Sequence, residues 1–306
     1  MTRHLLVGYQ ATSTGRDALN LGIALAREQD AHLHVVIIAP QDSAYAGIYP
    51  HDRGYVSILE QQLGTWLDEA LASVPGDVPA TGHVITAEAD AEGLLAAAGQ
   101  LGCSMIVIGG RSGGLLRRYR LGSVATTLLH AAPLPVALAP AGYQHSGPVG
   151  RLTIMFGPRP GAVDVVGLGI RAAHRRSIPL RLVSLVLLDQ PPAPDADTDD
   201  RSSRHDQEVL DSVTRYANRR LAEEAAELLK HGLASTVVST GRTVDHAMDE
   251  LDWQSDEVVV VGSSRLATRG RLFLGSTAAR MLRTVHVPVV VVPAGHTGAP
   301  TAESDH

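Results

Sequence analysis

Short apolar runs alternate with helix-like patterns along the whole chain. The runs cover residues 5–7, 33–38, 83–86, 105–108 and 136–139 in the first half, and residues 152–155, 180–187, 236–238, 258–261 and 289–292 in the second. Between residues 56 and 71, and again between 209 and 228, apolar residues recur at the three- and four-residue steps of a helix face. Near-continuous apolar strands separated by helices predict an α/β fold. We expect two tandem doubly wound domains, each a five-stranded parallel sheet with helices on both faces.

The second half of the chain repeats the first. A shift of 147 residues places Leu5 on Leu152, whereas a shift of 153 residues places Gly122 on Gly275 and Ser123 on Ser276. The two shifts differ by 153 − 147 = 6, so the second half carries a net insertion of six residues. We place the insertion at residues 190–200, a stretch rich in Pro and Asp that is typical of a loop. The predicted domains are residues 1–143 and 150–295, and residues 296–306 are a predicted flexible tail.

Composition narrows the class of protein. Of the 306 residues, 44% are hydrophobic and 19% are charged, which excludes wholesale disorder. The net charge of -6 gives no support for nucleic-acid binding, and no apolar window reaches the ~18 residues of a membrane span. The N-terminus lacks the apolar segment of a signal peptide, so we expect a cytoplasmic protein that does not insert in membranes. The single cysteine, Cys103, excludes an internal disulfide and a Cys-rich zinc site.

A loop rich in glycine and arginine follows the fourth predicted strand of each half. In the first half the loop begins at Gly109, includes Arg111 and ends at Gly122 and Ser123, where a helix starts. Glycine lets a phosphate approach the backbone, and a helix start presents free amide groups and the positive end of the helix dipole. Because Lys230 is the only lysine, any side chain that neutralises phosphate here is an arginine. The loops are therefore candidate phosphate sites, and N-capped turns with solvated arginines are the alternative.

The pattern of both halves resembles the universal stress protein family in its tandem two-domain form. It consists of a strand, Gly-x-x-[Gly], nine residues, Gly-Ser, a helix and a closing Pro-x-Pro-Val, and the resemblance covers residues 3–140 and 151–293. The resemblance implies a Rossmann-like fold of the adenine nucleotide alpha hydrolase-like type, with domains paired through their last strands. It also implies a role in stress adaptation, with ATP bound by the glycine motif as a ligand and an acidic residue after the first strand contacting the nucleoside.

The family motif is incomplete in both halves. Three of its positions match in each half, namely Gly109, Gly122 and Ser123, and Gly262, Gly275 and Ser276. The second motif glycine is replaced by Ser112 in the first half and by Arg265 in the second. The acidic position falls on Gln10, which can still bond a ribose hydroxyl, and on Gly157, which has no side chain. We therefore expect the first domain to bind nucleotide more readily than the second.

The sequence is compatible with several functions. The resemblance favours a non-enzymatic module that binds ATP, with ADP or cyclic AMP as alternative ligands, Mg²⁺ present only with ATP and no catalytic residues. A nucleotide-free interaction scaffold is the first alternative, and an ATP-hydrolysing enzyme is the second. We also expect residues 136–139 and 289–292 to pair antiparallel and so to join the two halves. Association of two chains as a homodimer is a further possibility. His32 and His34 share a predicted strand face, but no partner lies at a ligand spacing, so we expect no metal site.

Overall fold

The apolar runs of the first half form strands of one sheet, and the inner strands are largely buried on both faces, as continuous apolar runs require. The computed structural model describes residues 2–41, 53–112, 119–145, 147–157, 163–187, 199–264 and 271–296. The elements of the first domain are β1 (Arg3–Gly8), α1 (Ser13–Gln29), β2 (Ala31–Pro40), α2 (Arg53–Ala72), β3 (Ala80–Ala87), α3 (Asp90–Gln100), β4 (Met105–Gly109), β5 (Arg111–Ser112), β6 (Tyr119–Arg120), α4 (Ser123–Ala131) and β7 (Val136–Ala139). Every residue of β7 is buried, which is typical of a central strand.

The second domain follows the same order of strands and helices. Its elements are β8 (Arg151–Met155), α5 (Val163–Arg176), β9 (Leu180–Leu187), α6 (Asp199–Glu224), α7 (Ala226–Lys230), β10 (Ala234–Gly241), α8 (Val244–Asp249), β11 (Glu257–Gly262), α9 (Ser276–Thr284) and β12 (Val289–Val292). The five predicted strands of each half are thus confirmed, and the structure extends several of them by a few residues.

The two domains share one ten-stranded sheet with the order β10-β9-β8-β11-β12-β7-β4-β1-β2-β3. All neighbours within a domain are parallel, and the two domains meet where β12 runs antiparallel to β7, with Val290 opposite Ala137. The predicted antiparallel pairing of these strands is therefore confirmed. The joint covers an all-valine strand that would otherwise be an aggregation-prone edge.

Helices cover both faces of this sheet, and each face has its own apolar core. One core contains residues of α1, α2, α5 and α6, and the other contains residues of α3, α4, α8 and α9. Leu5 and Leu33 in the first core and Leu128 in the second are fully buried. Each such leucine contributes roughly 1.5–3 kcal/mol of burial free energy, so the layers are held mainly by packing against the sheet.

The second domain departs from the sequence prediction in one helix. The apolar pattern predicts one helix over 209–228, but the structure ends α6 at Glu224 and starts α7 at Ala226. Ala225 between them has φ -127° and ψ 30°, outside the helical range, and its buried side chain packs in the core. The predicted loop at 190–200 lies outside the described residues except for Asp199 and Asp200, which begin α6.

Candidate functional site

The loop after β4 closes on itself through a short ladder. Strand β5 pairs antiparallel with β6, with Arg111 opposite Arg120 and Ser112 opposite Tyr119. The amide of Gly110 donates to the carbonyl oxygen of Ala139 at 2.8 Å, which fixes the start of the loop to β7. The ladder brings the two ends of the loop together, so the turn at Gly109 and the start of α4 face the same carboxyl edge of the sheet. Ligands of doubly wound sheets bind at this edge.

Gly109 is required by packing. A Cβ atom at this position would lie 2.1 Å from the carbonyl oxygen and 2.6 Å from Cγ2 of Thr14 in the first turn of α1. Its missing side chain therefore lets α1 lie close against the end of β4. The glycine that the motif places here has a structural cause that holds whether or not a phosphate binds.

The N-terminus of α4 has no side-chain cap. Its N-cap is Gly122, with φ -75° and ψ 174°, which has no side chain to accept from the first-turn amides. The first helical bond closes from the amide of Thr126 to the carbonyl of Gly122 at 2.9 Å, and Ser123 is exposed. The amides of residues 123–125 precede that bond, and with the helix dipole they form an anion-binding end.

Asp90 supplies a carboxylate that the sequence analysis missed. Gln10 follows β1 and is exposed, and its Nε2 lies 3.4 Å from Oδ2 of Asp90, the first residue of α3. The resemblance implies an acidic group at the position of Gln10, and the structure places one next to it from another element. The two residues are 80 positions apart. The one sequence feature that could have pointed to Asp90 is its position just after the third strand, because that places its carboxylate at the carboxyl edge of the sheet.

The corresponding loop of the second domain is held closed by its serines. Ser263 Oγ donates to the carbonyl oxygen of Phe273 at 3.1 Å and accepts from the amide of Phe273 at 2.7 Å. The amide of Ser264 donates to the same carbonyl at 2.8 Å. A Cβ atom at Gly275, the N-cap of α9, would lie 3.2 Å from Cβ of Ser264. Serine side chains therefore occupy the approach to this helix end.

This second loop also contacts the first domain. The amide of Leu272 donates to the carbonyl of Ala132 at 2.9 Å, and the Leu272 side chain is buried. The ring of Phe273 meets the ring of His130 edge-on, with centroids 5.3 Å apart. Part of the loop that matches the nucleotide motif is thus used as an interface between the domains.

Of the other predicted site positions in the second domain, one glycine is required by packing and two positions are open or exposed. A Cβ atom at Gly262 would lie 2.7 Å from Cγ2 of Val165, so this glycine lets α5 pack on β11, as Gly109 does for α1. Gly157 has nothing within 4 Å of an added Cβ atom, so the position expected for an acidic residue is open. Ser276 is exposed at the start of α9. Arg265 lies outside the described residues.

Four histidines lie side by side on β1, β2 and β3. His4 Nδ1 lies 2.9 Å from His34 Nε2, and His34 Nδ1 lies 3.0 Å from His83 Nε2. His32 shares their face as predicted, with its ring centroid 4.8 Å from that of His34, and its Nε2 bonds Thr81 Oγ1. Because the two bonds use different nitrogens of His34, the rings form a chain that does not converge on one point.

His34, at the centre of the histidine chain, is buried and holds its proton weakly. Burial, reinforced by the neighbouring His32, His83 and His4, lowers the pKa of His34 from 6.5 to about 4. Among the described residues, no three or more His, Cys, Asp or Glu side chains are arranged to hold a metal ion. The same part of the chain contains no helix long and apolar enough to cross a membrane.

Comparisons with known proteins match nearly the whole chain to members of one family. Residues 1–140 and 154–293 match the profile described as the universal stress protein family. Universal stress proteins of Mycobacterium tuberculosis and Mycobacterium bovis are each 28% identical over 301 residues, which covers 94% of this chain and 99% of each relative.

Solved structures give the same fold over nearly the whole chain. A universal stress protein from Archaeoglobus fulgidus overlays with a TM-score of 0.62 at 15% identity, covering 95% of this chain and 96% of that one. A functionally unknown protein from Pseudomonas aeruginosa overlays with a TM-score of 0.59 at 16% identity, covering 96% and 93%. At such low identities the overlays support the fold alone.

Proposed function

This chain belongs to the universal stress protein family, and on that premise we propose that its first domain binds an adenine nucleotide of the ATP type. The uncapped N-terminus of α4 carries the proposal, because Gly122 leaves the first-turn amides open at the carboxyl edge of the sheet. The phosphates bind these amides and Ser123. Gln10 and Asp90 bind the ribose hydroxyls at the end of β1.

The second domain binds nucleotide weakly or not at all in this proposal. Ser264 lies against Gly275 at the start of α9, and Leu272 and Phe273 are engaged with the first domain. A nucleotide entering here would have to displace bonds from Ser263 and Ser264 that hold the loop closed. These contacts support the scaffold alternative for the second domain, whose loop then serves the interface.

We propose further that the protein is a non-enzymatic module of stress adaptation in the cytoplasm. ATP is the first expected ligand, ADP and cyclic AMP are alternatives, and Mg²⁺ accompanies ATP through its phosphates. A homodimer in addition to the internal pairing of the two domains is left as a prediction. Phosphate release from ATP at the rate of buffer alone is the expected result, and release that scales with protein concentration would contradict the non-enzymatic role.

Calorimetric titration of the purified chain with ATP, ADP and cyclic AMP tests the nucleotide site. Gly122→Val is expected to weaken ATP binding at least about tenfold, because its side chain blocks the phosphate approach to α4. Gly275→Val is the matched control at the equivalent N-cap and leaves the affinity unchanged. Absence of binding to all three ligands would favour the scaffold, and equal losses in both variants would contradict the assignment to the first domain.

A further inference from the structure

A cleft lies between the two domains, away from the glycine loops. It has a volume of about 280 Å³ and is lined by Arg27 and Glu28 at the end of α1, by residues 176–179 after α5, and by residues 148–149 of the linker. Residue 28 precedes β2 and residues 176–179 precede β9, so the lining comes from segments that lead into the amino ends of strands. The nucleotide proposal, by contrast, concerns loops that follow the carboxyl ends.

Arg27 and Arg176 line this cleft, and further arginines of both domains lie near Arg175, the neighbour of Arg176 in the chain. Arg175 feels the positive charges of Arg3, Arg171 and Arg176, and burial together with these neighbours lowers its pKa. Arg3 belongs to the start of β1, whereas the other three belong to α5. Like charges in one place repel each other, and a bound anion would remove that repulsion. The concentration is notable in a chain whose net charge is -6.

Partners within the protein neutralise only part of this charge. Arg27 pairs with Asp77 at 2.6 Å. Arg171 has interactions of its own, so its charge is not counted toward the excess at the cleft. Among the described residues, Arg3, Arg175 and Arg176 then share one neighbouring carboxylate, Glu28. The C-terminal ends of α1 and α5 also favour cations, but each supplies only about half a negative charge, so an excess of about one positive charge is left.

Apart from Ser177, the remaining lining of the cleft is apolar. Val149 and Ile178 are buried, and Pro148 and Pro179 complete the wall next to the arginines. We propose that this cleft binds a small organic phosphate, with the dianionic phosphoryl group on the arginines and the hydrocarbon part against the prolines, Val149 and Ile178. The ligand bridges the two domains, because its contacts come from α1, the linker and α5. The proposal does not depend on nucleotide binding.

Glu28 makes the affinity of the cleft depend on pH. Burial raises the pKa of Glu28 to about 7, although Arg176 and Arg175 act in the opposite direction. Below that pH the carboxyl group is neutral and the positive excess grows, so an anion binds more tightly. The arginines stay charged throughout, and hydrogen bonding to Arg27 lowers the pKa of Asp77, which stays ionised. His174 lies in the last turn of α5, next to Arg175 in the chain, so the pH test below replaces it.

Calorimetry at constant ionic strength tests the site, with n-propyl phosphate and inorganic phosphate as probes at about pH 8. We expect millimolar binding of n-propyl phosphate and weaker binding of inorganic phosphate, which lacks the hydrocarbon part. The double variant Arg175→Gln/Arg176→Gln should lose at least about tenfold in affinity. Arg283→Gln, in the last turn of α9, is the matched control and should bind as the parent does.

Three results would overturn the proposal. The first is no saturable binding of either probe by the parent protein. The second is unchanged affinity in the double arginine variant. The third is binding that survives in that variant and disappears in Gly122→Val, because it would place the probe at the glycine loop.

A second measurement isolates Glu28, with sulfate as a probe that keeps its charge between about pH 6 and about pH 8. In a His174→Gln background, sulfate should bind several-fold more tightly at the lower pH. Glu28→Gln in the same background should bind tightly at both pH values, since its side chain carries no charge. A pH effect of the same size with and without Glu28 would contradict the role given to this carboxylate.

Discussion

The two domains solve the same packing problem at the amino ends of their strands with different chemistry. Leu5 pairs with Leu33 in the first domain as Leu152 pairs with Leu180 in the second, so His4 corresponds to Arg151 and His34 to Arg181. The first domain fills these positions with hydrogen-bonded imidazole rings. The second fills them with two guanidinium groups.

A buried carboxylate balances the two arginines of the second domain. Glu257 is fully buried, and its carboxylate lies 2.5 Å from Arg151 Nη2 and 2.7 Å from Arg181 Nη2. Thr153 also bonds Glu257, and Arg181 lies over the ring of Trp253, 5.2 Å from its centroid. Copies of one fold can thus keep their backbone register while a histidine cluster in one copy is replaced by an ionic cluster in the other.

The ionic cluster should be the more fragile of the two. Glu257→Gln removes the buried carboxylate that both guanidinium groups contact, and we expect the free energy of unfolding to fall by about 3 kcal/mol. Urea denaturation followed by circular dichroism measures this loss. Glu227→Gln is the control, because Glu227 pairs with Lys230 on the surface, and it should change stability by less than about 0.5 kcal/mol. Equal stability of both variants would show that the buried cluster contributes little.

The histidine cluster should respond to acid. Because the folded pKa of His34 is about 4 and the ordinary value is 6.5, the unfolded chain binds a proton in this window that the folded chain does not. The free energy of unfolding should therefore fall as pH falls from 6.5 toward about 4, and this group adds nothing further below that. Urea midpoints across this range measure the effect.

A matched pair of variants assigns the acid response to the cluster. His34→Gln should flatten the pH dependence, whereas His231→Gln, at an exposed position after α7, should keep it. Imidazole signals recorded by NMR give a direct check. If His34 titrates near 6.5 in the folded protein, the cluster is more solvated than this account requires.

The smallest expected effect is on ATP affinity, and it comes from Asp90, which the fold brings next to Gln10. Asp90→Ala removes one hydrogen-bonding group near Gln10, so we expect ATP affinity to fall about fivefold, equivalent to about 1 kcal/mol. Glu92→Ala is the matched control, since Glu92 is also acidic, exposed and in the first turn of α3. The same calorimetric titration measures both. A loss that is equal in the two variants would indicate a general charge effect instead of a contact.

The sequence predicted the strands well because their signal is local. Val289–Val292 and Leu180–Leu187 have the predicted bounds, since apolar runs that are continuous or nearly so mark strands buried on both faces. The joint between β7 and β12 was also predictable, because an all-valine strand needs a partner on its edge.

Features that depend on packing between distant segments were not predictable. Asp90 reaches Gln10 only because α3 packs at the carboxyl edge of the sheet, and its position after the third predicted strand does not by itself specify that contact. His34 was paired in the prediction with His32 alone, whereas His4 and His83 join it through strand register. The motif glycines Gly109 and Gly262 were interpreted as phosphate contacts, and the structure adds the helix packing that requires them.

The difference between the two glycine loops is the central claim, and photolabelling with an azido derivative of ATP tests it most directly. After irradiation and proteolysis, mass spectrometry locates the labelled peptides, and excess ATP shows which labelling is specific. We predict specific label in peptides from the first domain, near the ends of β1 and β4 and the start of α4. Specific label confined to the second domain, or divided equally between the two, would contradict the account.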